Sequence, residues 1–117
     1  MLNYHKKIFQ SVSNTANGEV SEQTLFHYFQ EGTIVWAEYA GGAIMKGFLI
    51  ARMLENGVLD MRYEHINKEG ELMTGKCCSR PEVLADGRIR LHEKWQWTSG
   101  DLSSGESVVE EIINKTS

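Results

Sequence analysis

The chain has 117 residues, a formal net charge of −4 and a pI near 5.5, which suits a single domain spanning residues 1–117. No basic patch stands out, so we expect no nucleic-acid partner. The N-terminal stretch "MLNYHKKIFQ" holds no apolar segment long enough for a signal peptide or a membrane helix, so we expect a cytoplasmic protein with no membrane partner.

Turn-type residue pairs divide the chain at regular intervals. Asn-Gly, Asp-Gly and Gly-Gly pairs are strong hairpin signals, because a tight primed turn requires positive φ. The turn-type pairs are Asn17-Gly18, Glu31-Gly32, Gly41-Gly42, Asn56-Gly57, Glu69-Gly70, Asp86-Gly87 and Gly100-Asp101. The runs between them are rich in β-branched and aromatic residues, which favour strands. The predicted strands are residues 7–13, 24–30, 33–39, 43–54, 58–67, 71–79, 88–98 and 106–113.

Three segments of the chain are harder to assign. Run 106–113 contains good helix formers, so a short helix is its alternative, but Val and Ile at its apolar positions favour a strand. The first six residues are expected to be frayed or briefly helical. The stretch "RPEVLADGR" is expected to form a solvated hairpin tip that carries Arg80, Glu82, Asp86 and Arg88.

Eight consecutive strands joined by short turns predict an all-β fold, an eight-stranded antiparallel up-and-down barrel with its core at about residues 8–113. Closing the barrel removes exposed strand edges. A two-sheet sandwich with Greek-key crossings would need long connections, and nearly every connection here is short. Eight strands enclose an interior wide enough for side chains or for one small ligand.

Three stretches of the chain, "YFQEGTIVWAEYAGGAIMKGFLI", "RYEHINKEGEL" and "RPEVLADGRIRLHEKWQWTSGDLSSGES", resemble a family of small bacterial calycin-like barrels. The resemblance covers roughly residues 9–113, and "GRIRLHEKWQWTSGD" is its most specific part. It implies a lipocalin- or avidin-like barrel with an internal pocket, without naming a ligand. Some members are labelled N-acetylglutamate synthase. Acetyl transfer from acetyl-CoA usually uses a glycine-rich pyrophosphate loop at a helix start, and this sequence offers no such unit.

The stretch "LHEKWQWTSGD" places an acid among indoles. Side chains alternate between the two faces of a strand. The residues that share one face are Leu91, Glu93, Trp95 and Trp97. This face is the apolar one, and a buried carboxylate is costly unless it is paired or hydrogen-bonded. Glu93 is therefore either a structural acid bonded by Tyr63 or His65, or an anchor that meets a ligand beside aromatic walls.

Two further positions depend on which way a strand faces. Trp36 and Glu38 share one face of run 33–39, and the sequence does not decide whether that face is inside. If it is, the interior gains a second acid, and two neighbouring acids raise one pKa in the manner that general acid–base chemistry uses. Cys77 would face inward as a small packing residue, or as a nucleophile if His65 served as its base.

Binding of a small organic molecule inside the barrel is the leading hypothesis. The candidate ligand-binding residues are Trp36, Tyr63, His65, Glu93, Trp95 and Trp97. One alternative is a small enzyme in which Glu93 acts with Tyr63 or His65. Another is a structural or interaction protein whose barrel is completely filled.

No metal or cofactor is expected from the motifs. The four histidines are scattered, and the adjacent cysteines do not form a C-x-x-C motif. Motifs of the G-x-S-x-G, H-E-x-x-H and P-loop types do not occur in the sequence.

Overall fold

A computed structural model of the protein describes residues 2–113. Its strands are β1 (Lys7–Asn14), β2 (Leu25–Glu31), β3 (Ile34–Gly41), β4 (Ile44–Met53), β5 (Leu59–Asn67), β6 (Leu72–Val83), β7 (Ile89–Trp97) and β8 (Ser104–Ile112). Each strand pairs antiparallel with its sequence neighbours, and β1 pairs with β8 to close the barrel. The predicted eight-stranded up-and-down barrel is confirmed.

The connections lie where the turn-type pairs predicted them. Gly32 and Gly42 adopt φ values of +60° and +64°, which favour glycine because it has no Cβ. The connection between β4 and β5 contains a 3-10 helix, Glu55–Gly57. Within residues 2–113, no helix is both long and apolar enough to cross a membrane. The last run forms strand β8, as we favoured over a helix.

Strand β6 continues beyond its predicted end. Pairing with β5 stops at Ser79, but pairing with β7 continues to Val83. Arg80 and Glu82 therefore belong to a strand, and the predicted hairpin tip shrinks to residues 84–88. Pro81 lies in the overhang, where it has no β5 partner. A missing N–H is tolerated at such an edge, because no ladder hydrogen bond is lost.

One end of the barrel is plugged by Tyr4. Its side chain is fully buried, and its hydroxyl donates to the Gly57 carbonyl oxygen at 2.7 Å. The ring packs against Phe9 and Tyr28, with centroids 6.4 and 6.1 Å away. The expectation of a frayed N-terminus is thus wrong at Tyr4, because burying this ring and satisfying its hydroxyl fixes the segment that carries it.

Three glycines lie inside strands rather than in turns. Each is the cross-strand partner of an inward-facing aromatic residue, in the pairs Tyr39–Gly47, Tyr63–Gly75 and Trp95–Gly105. A Cβ built on any of these glycines collides with its partner's ring. The glycines therefore give large rings room to lie flat against the wall of a narrow barrel, and this positions the aromatic side chains described next.

Candidate ligand-binding site

An interior cavity occupies the barrel end opposite Tyr4. Its aromatic wall consists of Phe26, Tyr39, Tyr63, His65, Trp95 and Trp97. The space open to water inside the cavity is about 50 Å³, and the whole space between its walls, including the open mouth, is about 470 Å³. One water needs about 10–15 Å³ of such open space. The cavity as it stands therefore holds a few waters or a ligand of similar size.

The structure brings most of the candidate residues together at this cavity. The candidates that line it are Tyr63, His65, Glu93, Trp95 and Trp97. Trp36 does not line it, so its assignment to an interior site is corrected. Its side chain is 36% exposed on the outer wall and stacks on Phe29 at a centroid distance of 6.0 Å. The inward positions of β3 belong instead to Val35, Ala37 and Tyr39.

Glu38 lies on the outer wall of the barrel, on the same face of β3 as Trp36. It is exposed, and its carboxylate lies 3.8 Å from the Lys46 ammonium. An interior pair of acids built on Glu38 therefore does not form. A second carboxylate nevertheless reaches the cavity, because Glu19 enters from the connection between β1 and β2.

Glu93 is held by two serine hydroxyls. Ser79 donates to its Oε2 at 2.8 Å, and Ser107 donates to its Oε1 at 3.0 Å. The strand register explains this arrangement, because Ser79 on β6 and Ser107 on β8 are the cross-strand partners of Glu93. The expectation that His65 or Tyr63 would bond Glu93 is therefore wrong.

The surroundings of Glu93 disfavour its charge. Burial raises the pKa of Glu93, and the hydrogen bonds from Ser79 and Ser107 offset part of that rise. The side chain is half-buried and lines the cavity. The described residues that line the cavity include no lysine or arginine. A charged Glu93 thus has hydroxyl donors but no counter-ion among the cavity residues that the structure describes.

This environment predicts a pH-dependent effect of Glu93→Gln. Below about pH 4.5, the usual pKa of a glutamate, the carboxyl is protonated in both the folded and the unfolded state, and burial costs little. As the pH rises through the raised folded-state pKa, ionisation costs more in the folded state, so stability falls. Glutamine carries no charge and avoids this cost. The melting temperature of the variant should therefore increase relative to that of the parent as the pH rises.

Thermal melts between about pH 4 and about pH 8 measure this difference. Glu38→Gln, which also removes one negative charge but from the outer wall, is the matched control. For each variant, the quantity compared is its melting temperature minus that of the parent. If this difference grows no more with pH for Glu93→Gln than for Glu38→Gln, the desolvated position of Glu93 is contradicted.

The connection between β1 and β2, residues 15–24, covers the mouth of the cavity; we call it the mouth loop. Glu19 Oε1 lies 2.8 Å from His65 Nε2, and Asn67 Nδ2 donates to Glu19 Oε2 at 3.0 Å. Trp97 Nε1 donates to the Asn17 carbonyl oxygen at 3.0 Å. The mouth loop is therefore fastened to the barrel by hydrogen bonds on two sides, and opening it would widen the entrance.

His65 links the mouth loop to the cavity wall. It is 2% exposed, and its Nδ1 lies 2.9 Å from the Tyr39 hydroxyl. Because a carboxylate accepts hydrogen bonds, Nε2 of a neutral His65 carries the hydrogen toward Glu19, and Nδ1 accepts from Tyr39. Burial raises the pKa of Tyr39, so its hydroxyl keeps its proton. Both ring nitrogens of His65 are thus already engaged.

Cys77 lies in the cavity wall as a packing residue. It is buried, whereas Cys78 is exposed, and both are free thiols. Burial raises the pKa of Cys77, and its Sγ lies 3.5 Å from the Ser79 hydroxyl. Since both ring nitrogens of His65 bond elsewhere, the expected alternative in which His65 serves as the base of Cys77 is not formed in the structure.

Several site residues had not been predicted. These are Asn14, Glu19, Tyr39, Ser79 and Ser107. Ser79 and Ser107 occupy inward positions of otherwise apolar strands, a signal that becomes usable only once strand register is known. Asn14 Oδ1 is buried without a hydrogen-bond partner in residues 2–113, although its Nδ2 donates to the Val20 carbonyl oxygen at 2.9 Å. Nothing in the sequence indicates that a loop folds inward at Glu19.

The closed eight-stranded up-and-down barrel and its interior cavity define a protein of the calycin architecture. The family model described as avidin-like protein matches residues 2–112, and the chain belongs to this family. The expected resemblance to calycin- and avidin-like barrels is thereby confirmed. Comparisons with curated proteins and with solved structures give no match.

Proposed function

We propose that this protein binds a small organic molecule in the interior cavity. The observation that carries the proposal is the composition of the cavity wall, in which indole and phenol rings surround a half-buried carboxylate, Glu93. Ligand sites are typically concave and largely apolar, with a few polar groups that fix orientation. A barrel of the avidin-like family suits this kind of binding in general.

Polar groups with unused bonding capacity support the proposal. The Tyr63 ring is half-buried at the cavity, and its hydroxyl makes no hydrogen bond to another described residue. The buried Oδ1 of Asn14 also has no partner there. A buried acceptor is normally satisfied, so Asn14 Oδ1 offers an acceptor that a bound molecule can use, and the accessible Tyr63 hydroxyl at the cavity adds a donor.

The mouth loop limits what can enter. With the mouth loop fastened by Glu19 and by the Asn17 carbonyl, the open volume of about 50 Å³ suits a ligand of only a few non-hydrogen atoms. A larger ligand requires the mouth loop to move. Loops on a rigid barrel commonly control access in this way.

The geometry gives less support to the two alternatives. A completely filled barrel would leave no cavity beside Glu93, yet one is present. An enzyme using Glu93 with Tyr63 or His65 would need the side chains to cooperate, but Glu93 bonds to Ser79 and Ser107, and His65 bonds to Tyr39 and Glu19. Binding therefore accounts for more of the site than either alternative does.

Native mass spectrometry of freshly purified protein, combined with a spectrum of the methionine methyl groups, tests the proposal. Met61 lines the cavity, while Met45 is 61% exposed and serves as an internal control. We expect a co-purified molecule, or at least one member of a panel of small fragments, to shift the Met61 resonance saturably. Met45 should stay in place.

The result that overturns the proposal is equally specific. If no molecule co-purifies and no fragment shifts Met61, the interior is a structural core. Equal shifts at Met61 and Met45 would indicate unspecific association with the surface, and would also contradict binding in the cavity.

A further inference from the structure

We propose that the ligand of this cavity is a small, flat organic cation that bears N–H donors, of the amidinium or guanidinium class. This inference rests on the proposed function and narrows it, because it names the charge and the donor pattern of the bound molecule. It follows from the charges, the bonding capacity and the ring geometry around Glu93.

The charged side chains at the cavity favour a cationic ligand. Two carboxylates reach it, Glu93 in the wall and Glu19 at the mouth, and the described residues that line it include no lysine or arginine. The histidine among them, His65, bonds to Tyr39 and Glu19 through its two ring nitrogens, so neither nitrogen is open to an anion. An anionic ligand would therefore meet the open acceptors of Glu93 and no free cationic partner among these residues, which is unfavourable in a desolvated site. A cationic ligand would instead supply the counter-ion that Glu93 lacks.

Glu93 has acceptor capacity left after its structural bonds. Each oxygen receives one hydroxyl hydrogen bond, from Ser79 on Oε2 and from Ser107 on Oε1. A carboxylate offers about four lone-pair sites, so about half of them stay open. Because each oxygen keeps a vacancy, a ligand with two parallel N–H groups can bond both oxygens at once, and amidinium and guanidinium groups have that geometry.

The aromatic wall favours the same chemistry. The Trp95 and Trp97 rings are 5.6 Å apart between centroids, and the Tyr63 ring lies 5.8 Å from Trp97. Cations within about 6 Å of such a ring face are attracted by the ring quadrupole, most strongly by tryptophan. A flat cation can stack on an indole while its N–H edge points at Glu93.

A neutral molecule with the same donors is the main competitor. A urea could fill the vacant lone pairs of Glu93, but it would leave the buried charge without compensation. Glu93 lines the cavity without a lysine or arginine beside it, and its burial there disfavours the charged form and raises its pKa. Pairing with a cation relieves this cost, so the cation should bind more tightly than a neutral molecule of equal shape.

Three probes of equal size and different charge test the inference. They are methylguanidinium, methylurea and propionate, which are cationic, neutral and anionic and have the same number of non-hydrogen atoms. Titrations follow the Met61 methyl resonance, with Met45 as the control. We expect methylguanidinium to bind at least about tenfold more tightly than either of the others, a difference of about 1.4 kcal/mol.

Two variants test whether Glu93 is the source of the preference for the cation. Glu93→Gln should weaken methylguanidinium binding by about tenfold or more and change methylurea binding little. Glu38→Gln removes the same charge from the outer wall and should leave both affinities unchanged. If Glu93→Gln does not fold, as judged by circular dichroism, the comparison of the three probes on the parent protein decides alone.

The outcomes separate the two proposals. If methylurea or propionate binds as tightly as methylguanidinium, the cation class is overturned while binding in the cavity stands. The same holds if none of the three shifts Met61 but another fragment does. If no fragment of any charge shifts Met61, both proposals fail.

Discussion

Replacing Trp97 by alanine is expected to lower the free energy of unfolding by about 3–5 kcal/mol. The indole is 5% exposed and packs edge-on against Tyr63, His65 and Trp95 at centroid distances of 5.6–5.8 Å. Its removal leaves a void and also removes the hydrogen bond to the Asn17 carbonyl. Urea denaturation measures the loss, and the freed mouth loop should exchange its amide hydrogens faster.

Trp36→Ala is the matched control for Trp97→Ala. Trp36 lies on the outer wall and makes a stacked contact with Phe29. Its truncation should therefore cost less than about 1 kcal/mol. Similar losses from the two variants would contradict the assignment of one tryptophan to the interior and the other to the surface.

Gly47→Ala is expected to cost about 3 kcal/mol, the upper end of the range for overpacking a core. An alanine Cβ at this position would lie 2.5 Å from Tyr39 ring atoms and 2.9 Å from the His65 Cβ. Relief requires the Tyr39 ring to move, which breaks its hydrogen bond to His65. Denaturation measures the loss, and a shift of the His65 ring resonances reports the broken bond.

Gly32→Ala separates crowding from backbone strain. Gly32 has no atom within 4 Å of its would-be Cβ, but its φ is +60°, so alanine there should cost about 1–2 kcal/mol through the left-handed conformation alone. Gly47 is not among the positive-φ glycines, so its cost comes from the Tyr39 ring. If Gly47→Ala were the milder of the two, Tyr39 would not be held against Gly47.

The strands and turns could be predicted because their signals are local. Turns that need positive φ carry glycine, as at Gly32 and Gly42. Alternation of side chains within "LHEKWQWTSGD" places Glu93 on the same face as Trp95 and Trp97. The structure keeps those three side chains at one cavity. Their common location needed no knowledge of the neighbouring strands.

The partners of Glu93 depend on register, which a single strand does not encode. Ser79 and Ser107 reach Glu93 because β6, β7 and β8 align those three residues in one row. In the same way, both faces of β3 are half apolar, and only the closed barrel turns Tyr39 inward and Trp36 outward. Residues joined through tertiary pairing were therefore the ones that sequence reasoning missed.

The glycines inside strands illustrate a signal that was present and unused. Gly47 and Gly75 lie inside runs that were predicted as strands, where no turn is needed, whereas Gly105 follows the polar pair Ser103-Ser104 and lacks this signal. A glycine in such a position often marks close approach of another group. Here that group is an aromatic ring on the neighbouring strand, so these glycines point to the cavity wall.

The seam between β1 and β8 gives the barrel a particular folding order. Every other strand pair is a hairpin between neighbours in sequence, whereas the seam joins Ile8 to Ile112 and contains a register shift between Ser11 and Ser13. Contacts so distant in sequence carry a large loop-closure entropy, so we expect the seam to form last. Ser107 pairs with Asn14 across this seam, and both residues line the cavity, so the cavity wall is completed only as the barrel closes. A ligand bound in the cavity should therefore mainly slow the opening of the seam, and so the rate of unfolding, while leaving the rate of folding almost unchanged.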